Sequence, residues 1–266
     1  MKNNIQILPR SIFYSIIVTG CLFFAGHLIA EESKIADPNK LFYMGNAQYE
    51  KGDYSKAVED YINILDTGIE SGNLYYNIGN GFLKLGKTGY AILCYEKAKR
   101  LIPRDSDLRA NLAYARSITG ATDLASSQQN IFLKALKEPF KDFNLNAVAI
   151  SALALYLIVI HLMVLQIINP AVGRRLRMVR FLVSLLLAVN LGTFLVRYFD
   201  EEIKRHGIVI QKEVECKYEP IDKSTTYYAL REGDEVSVIK TRNDWRQIRR
   251  HDGKMAWAKK EAIEEI

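Results

Sequence analysis

The sequence predicts a multidomain membrane protein built from three unlike parts: an all-α helical-repeat solenoid, a two-helix transmembrane hairpin and a small all-β barrel. Three observations carry this reading. Residues 38–105 resemble themselves at an interval of 34 positions. Phe143 to Gly173 and Phe181 to Val196 contain no Asp, Glu, Lys or Arg. From Gly207 onward, short alternating apolar runs separated by turn residues replace the helical pattern.

Average composition conceals this division. With 266 residues, 49% hydrophobic and 25% charged, the chain is neither disordered nor collagen-like. Its net charge of +6 matches six residues: Lys2 and Arg10 at the start, and Arg174, Arg175, Arg177 and Arg180 between the apolar stretches. Basic residues beside apolar segments orient a chain in a bilayer. The excess is therefore no argument for nucleic-acid binding, and no nucleic-acid partner is expected.

Residues 1–30 read as a signal peptide or N-terminal anchor: a short basic start, the uncharged run Ser11 to Ala30, then Glu31-Glu32. Ala30 suits cleavage and Leu28 does not. The run is long enough to stay as an anchor, and Val18-Thr19-Gly20-Cys21 resembles a bacterial lipobox. All three fates place residue 31 outside the cytoplasm.

Next comes the repeat. Met44-Gly45-Asn46 recurs as Ile78-Gly79-Asn80, Gly52 as Gly86, Ala57 as Ala91 and Tyr61 as Tyr95. This register is similar to the tetratricopeptide pattern of two antiparallel helices per unit, with units 38–71 and 72–105 and a capping helix completing 38–118. Gln48 and Ile69 depart from it. In that family the first helices line a concave groove for an extended peptide. The resemblance thus implies a groove of Phe42, Tyr43, Asn46 and Tyr49, then Tyr76, Asn77, Asn80 and Lys84, then Asn111 and Tyr114. An asparagine amide can pair with both backbone N–H and C=O. The charged clamp of some members is not matched, because Phe42 and Asp107 stand at its basic positions.

Residues 119–142 read as a linker with an amphipathic segment. Its apolar Ile131, Phe132, Leu133, Leu136 and Phe140, interleaved with Lys134, Lys137 and Lys141, suit a membrane surface. The first spanning helix is expected at 145–168, about 36 Å long at 1.5 Å per residue, enough for a hydrocarbon core of about 30 Å. The second, 179–199, reaches full length if Arg180 and Arg197 snorkel to the interfaces. Asn169-Pro170 and Gly173 predict an arginine-rich loop at 169–178, placed in the cytoplasm by its charge. Both flanking modules then face the periplasmic side of a bacterial inner membrane. Counted from the ends of that loop, His161 and Asn190 lie at similar depth. A hydrogen bond between them would contribute about 0.6–2 kcal/mol.

Residues 207–266 carry Ile208-Val209-Ile210, Val236 to Ile239, Trp245 to Ile248 and Met255 to Ala258 as strands, with turns at Gly233-Asp234, Asn243-Asp244 and Asp252-Gly253. Leu230, Gly233, Val236 and Val238, followed by Asp244-Trp245 and Ala256-Trp257, resemble bacterial SH3-like domains, with Ala256 in place of the usual glycine. Trp257 is expected in the core of the barrel and Trp245 half-exposed. Arg246, Arg249 and Arg250 join Arg242 and Lys254 in a basic face, solvated or meeting lipid headgroups or anionic wall polymers. Cys94 and Cys216 read as separate buried thiols rather than a bridge.

No GxSxG, HExxH or paired-cysteine motif occurs. No catalytic residue, metal site or cofactor is expected, and the chain does not read as an enzyme. The ordered set of export signal, two tetratricopeptide units, membrane hairpin and SH3-like domain resembles the BatE family. That resemblance implies a protein-binding scaffold working beside membrane lipid. It also implies von Willebrand A-domain membrane proteins of a Bat operon as partners, MoxR-type ATPases nearby, and a role in aerotolerance or envelope stress. A cell-wall protein binding peptidoglycan is the alternative.

Overall fold

Start and stop signals set the first half of the chain. The computed structural model describes residues 37–121, 138–199 and 205–266. The expected signal or anchor at 1–30, and residues 122–137 of the 119–142 linker, lie outside the described residues. Five helices come first: α1 (Pro38–Glu50), α2 (Tyr54–Leu65), α3 (Gly72–Lys84), α4 (Thr88–Leu101) and α5 (Ser106–Thr119). Asp53, Ser71 and Asp105 cap α2, α3 and α5, accepting hydrogen bonds from the amides of Lys56, Leu74 and Leu108 at 3.3, 3.1 and 2.8 Å. The ends of α1 and α3 are copies of one another. Gly52 and Gly86 take φ of 83° and 71°. The following amides, Asp53 and Lys87, then reach back to the carbonyls of Gln48 and Phe82 at 2.9 and 3.0 Å.

Packing repeats as well. The ring of Tyr61 lies over Gly45 and that of Tyr95 over Gly79, where a Cβ would come within 2.6 and 2.5 Å of the ring. Both tyrosines are essentially buried. Only a glycine admits the ring at these two crossings, so the recurrence of Gly45 and Tyr61 as a pair is a packing requirement.

The two apolar stretches form helices long and apolar enough to cross a membrane: α6 (Leu145–Ile168) and, after a short α7 (Pro170–Arg175), α8 (Arg177–Tyr198). Their mean hydropathies are 2.6 and 2.1. Residues 169–178, expected as a loop, are instead largely helical. The reversal is made by Asn169 and Pro170 alone. Pro170 opens α7 at the position where its missing N–H costs nothing. Gly173 then lies so close to Gln166 that a Cβ would meet its side chain at 2.5 Å. The return leg therefore begins about nine residues earlier than the expected 179–199 helix.

Seven strands follow: β1 (Arg205–Val209), β2 (Glu213–Lys217), β3 (Thr226–Arg231), β4 (Glu235–Arg242), β5 (Trp245–Arg249), β6 (Met255–Lys259) and β7 (Ile263–Glu265). They make one antiparallel sheet in the order β3-β2-β6-β5-β4-β1-β7. Positive φ at Gly233, Asn243 and Gly253 marks the three turns read from sequence. Side chains from all seven strands, among them Val209, Val214, Leu230, Val236, Ile248, Ala256 and Ile263, share one core. The sheet nevertheless stays open, with β3 and β7 as its edges. The expected closed barrel is not formed, because β3 pairs with β2 alone and β7 spans three residues.

Helices and sheet are not separate modules. Ile208 of β1 is fully buried in the helical core beside Ala91, Ile92 and Tyr95. Gly89 abuts β1 so closely that a Cβ would stand 2.8 Å from the carbonyl oxygen of Val209, and its amide donates to Glu232 Oε1 at 2.6 Å. Charges seal the edge of this contact. Arg116 of α5 lies 2.6 Å from Glu96 and 3.7 Å from Glu235, which lies 3.2 Å from His206.

Candidate functional site

The first helix of each unit and the cap supply the candidate groove. Asn46 and Asn80 occupy equivalent turns, and each accepts a hydrogen bond from its unit's tyrosine, Tyr61 or Tyr95, through Oδ1 at 2.7 Å. Burial, more than the neighbouring groups, pushes the Tyr61 hydroxyl up to about 12, so it remains a donor. Asn111 of α5 donates both to Asn80 Oδ1 at 2.9 Å and to the Tyr76 hydroxyl at 3.0 Å. Tyr76, Asn80 and Asn111 are thus brought together into one hydrogen-bonded spine across α3 and α5. The asparagine carbonyls are spent inside the protein. The Nδ2 groups of Asn46 and Asn80 carry no hydrogen bond among the described residues.

Around that spine the surface is aromatic and open. Tyr43 is 73% and Tyr114 60% exposed. Phe42 packs against Tyr43 and Tyr61, and Tyr49 lies edge-on to Tyr54 at 5.1 Å. Asn77 is half-buried and Lys84 exposed at the end of α3. The arrangement can offer amide donors beside stacked rings.

On the sheet, two of the four expected surface residues are interior. Trp245, expected half-exposed, is 6% exposed, with the Lys259 ammonium 4.3 Å from its ring centre. Arg246 is buried too, donating to the Ile263 carbonyl and pairing with Glu265 at 3.3 Å. The physical reason is cover from other strands: Lys259 of β6 lies across the Trp245 ring, and β7 meets Arg246 through the Ile263 carbonyl and Glu265. Arg249 remains exposed, and Arg250 pairs with Asp252 beneath the ring of Tyr228. Trp257 is buried as expected. Burial pushes the thiols of Cys94 and Cys216 up to about 12. Both are free and unreactive in character.

In the hairpin, Asn190 donates to Ser151 Oγ at 2.8 Å rather than to His161, which is exposed. The expected His161–Asn190 bond fails because of the early reversal. Ser151 opposite Asn190, and Gln166 opposite Gly173, set a register that puts His161 level with the start of α8. The seam consists of Val148 and Ala152 against Asn190, Thr193 and Arg197, all buried. Arg197 does not snorkel to water. Its guanidinium donates to the carbonyls of Phe140 and Phe143 at 3.0 and 2.7 Å, tying α8 to the turn before α6.

The contact between helices and sheet went unread in the sequence, although a signal for it exists. Gly89 stands where the first unit has Ser55, and Glu96 where it has Ile62. Positions at which two otherwise parallel units differ point to the face that one of them has put to use. No protein-family model matches this chain, and no curated protein matches its sequence.

Proposed function

We propose that the chain is a non-enzymatic, membrane-anchored scaffold whose helical units act as a tetratricopeptide groove for an extended segment of a partner protein. The hairpin anchors it, and the helices and the SH3-like sheet together form one extracytoplasmic body. The observation that carries this reading is an asymmetry of coverage. The sheet occupies α4 and the end of α5 through Gly89, Ile92 and Arg116, whereas Tyr43 and Tyr114 on the first helix and the cap stay bare. Exposed tyrosines beside unspent amide donors suit recognition of an extended backbone.

By resemblance to the BatE family, the partners sought are von Willebrand A-domain membrane proteins acting in envelope stress or aerotolerance. The wall-binding alternative loses Trp245 and Arg246, which are buried. The test is crosslinking of the tagged full chain in cells, detergent extraction and mass spectrometry, comparing wild type with Tyr43→Ser/Tyr114→Ser. These residues are exposed, so the pair leaves the fold intact, whereas replacing Asn46 or Asn80 would strip a partner from a buried tyrosine. Expected is recovery of the A-domain proteins with wild type and their loss with the pair. Recovery undiminished by the substitutions, or of wall enzymes instead, overturns the reading.

A further inference from the structure

Where α4, the start of α6 and the last residue of the sheet converge, they leave a cavity of about 290 Å³. Its walls carry Lys97 and Arg100 from one face of α4, Glu70 from the end of the first unit, Tyr75 from α3, and Leu145 and Asn146 from the first turn of α6. Neither Lys97 nor Arg100 forms an ion pair among the described residues. Lys97 has the Tyr75 ring at 5.7 Å, and Arg100 donates to the main-chain oxygen of Ile266, the last residue of the sequence, at 3.2 Å. Glu70 is held by the Tyr75 hydroxyl through Oε1 at 2.8 Å. Lys97, Arg100 and the Glu70 carboxylate thus line one small space with no salt bridge between their side chains.

The place of this cavity matters as much as its charge. Asn144 caps α6 through Oδ1 and donates to the Leu101 carbonyl at 3.2 Å, so the helical units are fastened directly to the root of the hairpin. Arg104 lies over Phe143 at 4.0 Å, and Arg109 pairs with Asp142 at 3.5 Å on the same side. If the hairpin spans a bilayer, as read above, the cavity opens at the level of the headgroups and Leu145 begins the acyl region.

We propose that this cavity is a phospholipid headgroup site. Lys97 and Arg100 take the phosphodiester, and Glu70 takes the ammonium of an amine-bearing headgroup. A phosphodiester accepts charge-assisted hydrogen bonds from a lysine and an arginine on one helix face. A carboxylate pre-set by a tyrosine, and left without a cation of its own, matches the zwitterion's other end. Seating a headgroup here would hold the helical units flat on the membrane and fix the direction in which their groove faces. The inference rests on the membrane reading of the hairpin.

The experiment uses the full chain reconstituted in nanodiscs of phosphatidylethanolamine and phosphatidylglycerol. Lipids retained after gentle release are counted by native mass spectrometry. Wild type is expected to retain phosphatidylethanolamine in preference. Lys97→Gln should weaken retention about tenfold, the loss of one charge-assisted hydrogen bond, and Lys97→Arg should restore it. Lys97 is the residue of choice because, unlike Arg100, it holds no other part of the fold. Glu70→Gln should keep a bound phospholipid but remove the preference for the amine. Unchanged retention by Lys97→Gln, or displacement of the lipid by inorganic phosphate, overturns the proposal. A chain that enters the disc yet retains no lipid overturns this site alone, whereas one that never enters overturns the hairpin reading with it.

Discussion

The two helical units, 38–71 and 72–105, share an interior and differ in what surrounds them. Each closes its first helix on a left-handed glycine, lays a tyrosine over a glycine and returns that tyrosine's hydroxyl to an asparagine at 2.7 Å. Outside, they part. The second unit carries the sheet on Gly89 and Ile92, the hairpin root beyond Leu101 and the cavity lined by Lys97 and Arg100. The first presents exposed Ser55, Asn63 and Asp66 at the positions of Gly89, Lys97 and Arg100, while Val58, at the position of Ile92, is buried against Gly81. What recurs between the units is what the fold demands, and what differs is what the molecule has attached there.

The strongest way to break this comparison is to remove the shared interior from each unit in turn. Tyr61→Ala and Tyr95→Ala each empty a fully buried aromatic site, which costs about 3–5 kcal/mol. The two losses are expected to agree within about 2 kcal/mol, the spread of one chemistry at buried sites. Urea unfolding of the full chain in detergent, followed by helical circular dichroism, measures both. A loss at Tyr95 exceeding that at Tyr61 by several-fold would mean that the sheet, not the repeat, sets the stability of the second unit.

A smaller effect sharpens the outward difference. Gly89→Val forces a side chain against the Val209 carbonyl, 2.8 Å from where its Cβ would stand, an overpacking cost of about 1–3 kcal/mol. Ser55→Val, at the same turn of the first unit, meets solvent and should change little. Hydrogen exchange across β1 separates the outcomes: faster exchange with Gly89→Val alone supports the docking. Equal exchange in both variants sinks it.

These contrasts also explain how far the chain could be read before its structure was seen. The 34-residue recurrence and the span 145–168 were legible because each depends on residues within one unit or one run; that each tyrosine ring lies over its own unit's glycine was not. Register in the hairpin was not. Whether Asn169-Pro170 turns the chain alone, or with eight more residues, depends on Gly173 meeting Gln166 across the reversal. Cys216 reads as a strand residue, since Glu213 to Cys216 alternates polar and apolar; β3 was not legible because Tyr227, Tyr228, Ala229 and Leu230 run together without alternation. Trp245 reads as half-exposed because nothing local says that Lys259, fourteen residues on, lies across its ring. Of the proposed groove, the recurrence of Asn46 as Asn80 was legible, but not that their carbonyls would be spent on Tyr61, Tyr95 and Asn111.

The smallest effect expected is on the charged edge of the docking, and its sign follows from Glu235. Burial alone would raise this carboxyl, but the hydrogen bond and charge of His206, with Arg116 and Lys99, hold it below its ordinary 4.5. Facing it are His206 from β1, Arg116 from α5, and Lys99 with Glu96 from α4. A carboxyl that binds its proton less readily when folded stabilises the folded form above its unfolded value, and that contribution disappears as pH falls through the lower folded value. The sheet should therefore loosen from α4 and α5 in acid, below pH 4.5, ahead of general unfolding. Glu235→Gln should show weaker docking at neutral pH and no further acid step of its own. Exchange at the amides of Gly89 and Val209, followed from pH 7 to pH 3 with the intrinsic pH dependence of exchange divided out, reads both. An acid step of equal size in wild type and Glu235→Gln would assign it to other carboxylates and leave the docking held by Ile208 and Gly89 alone.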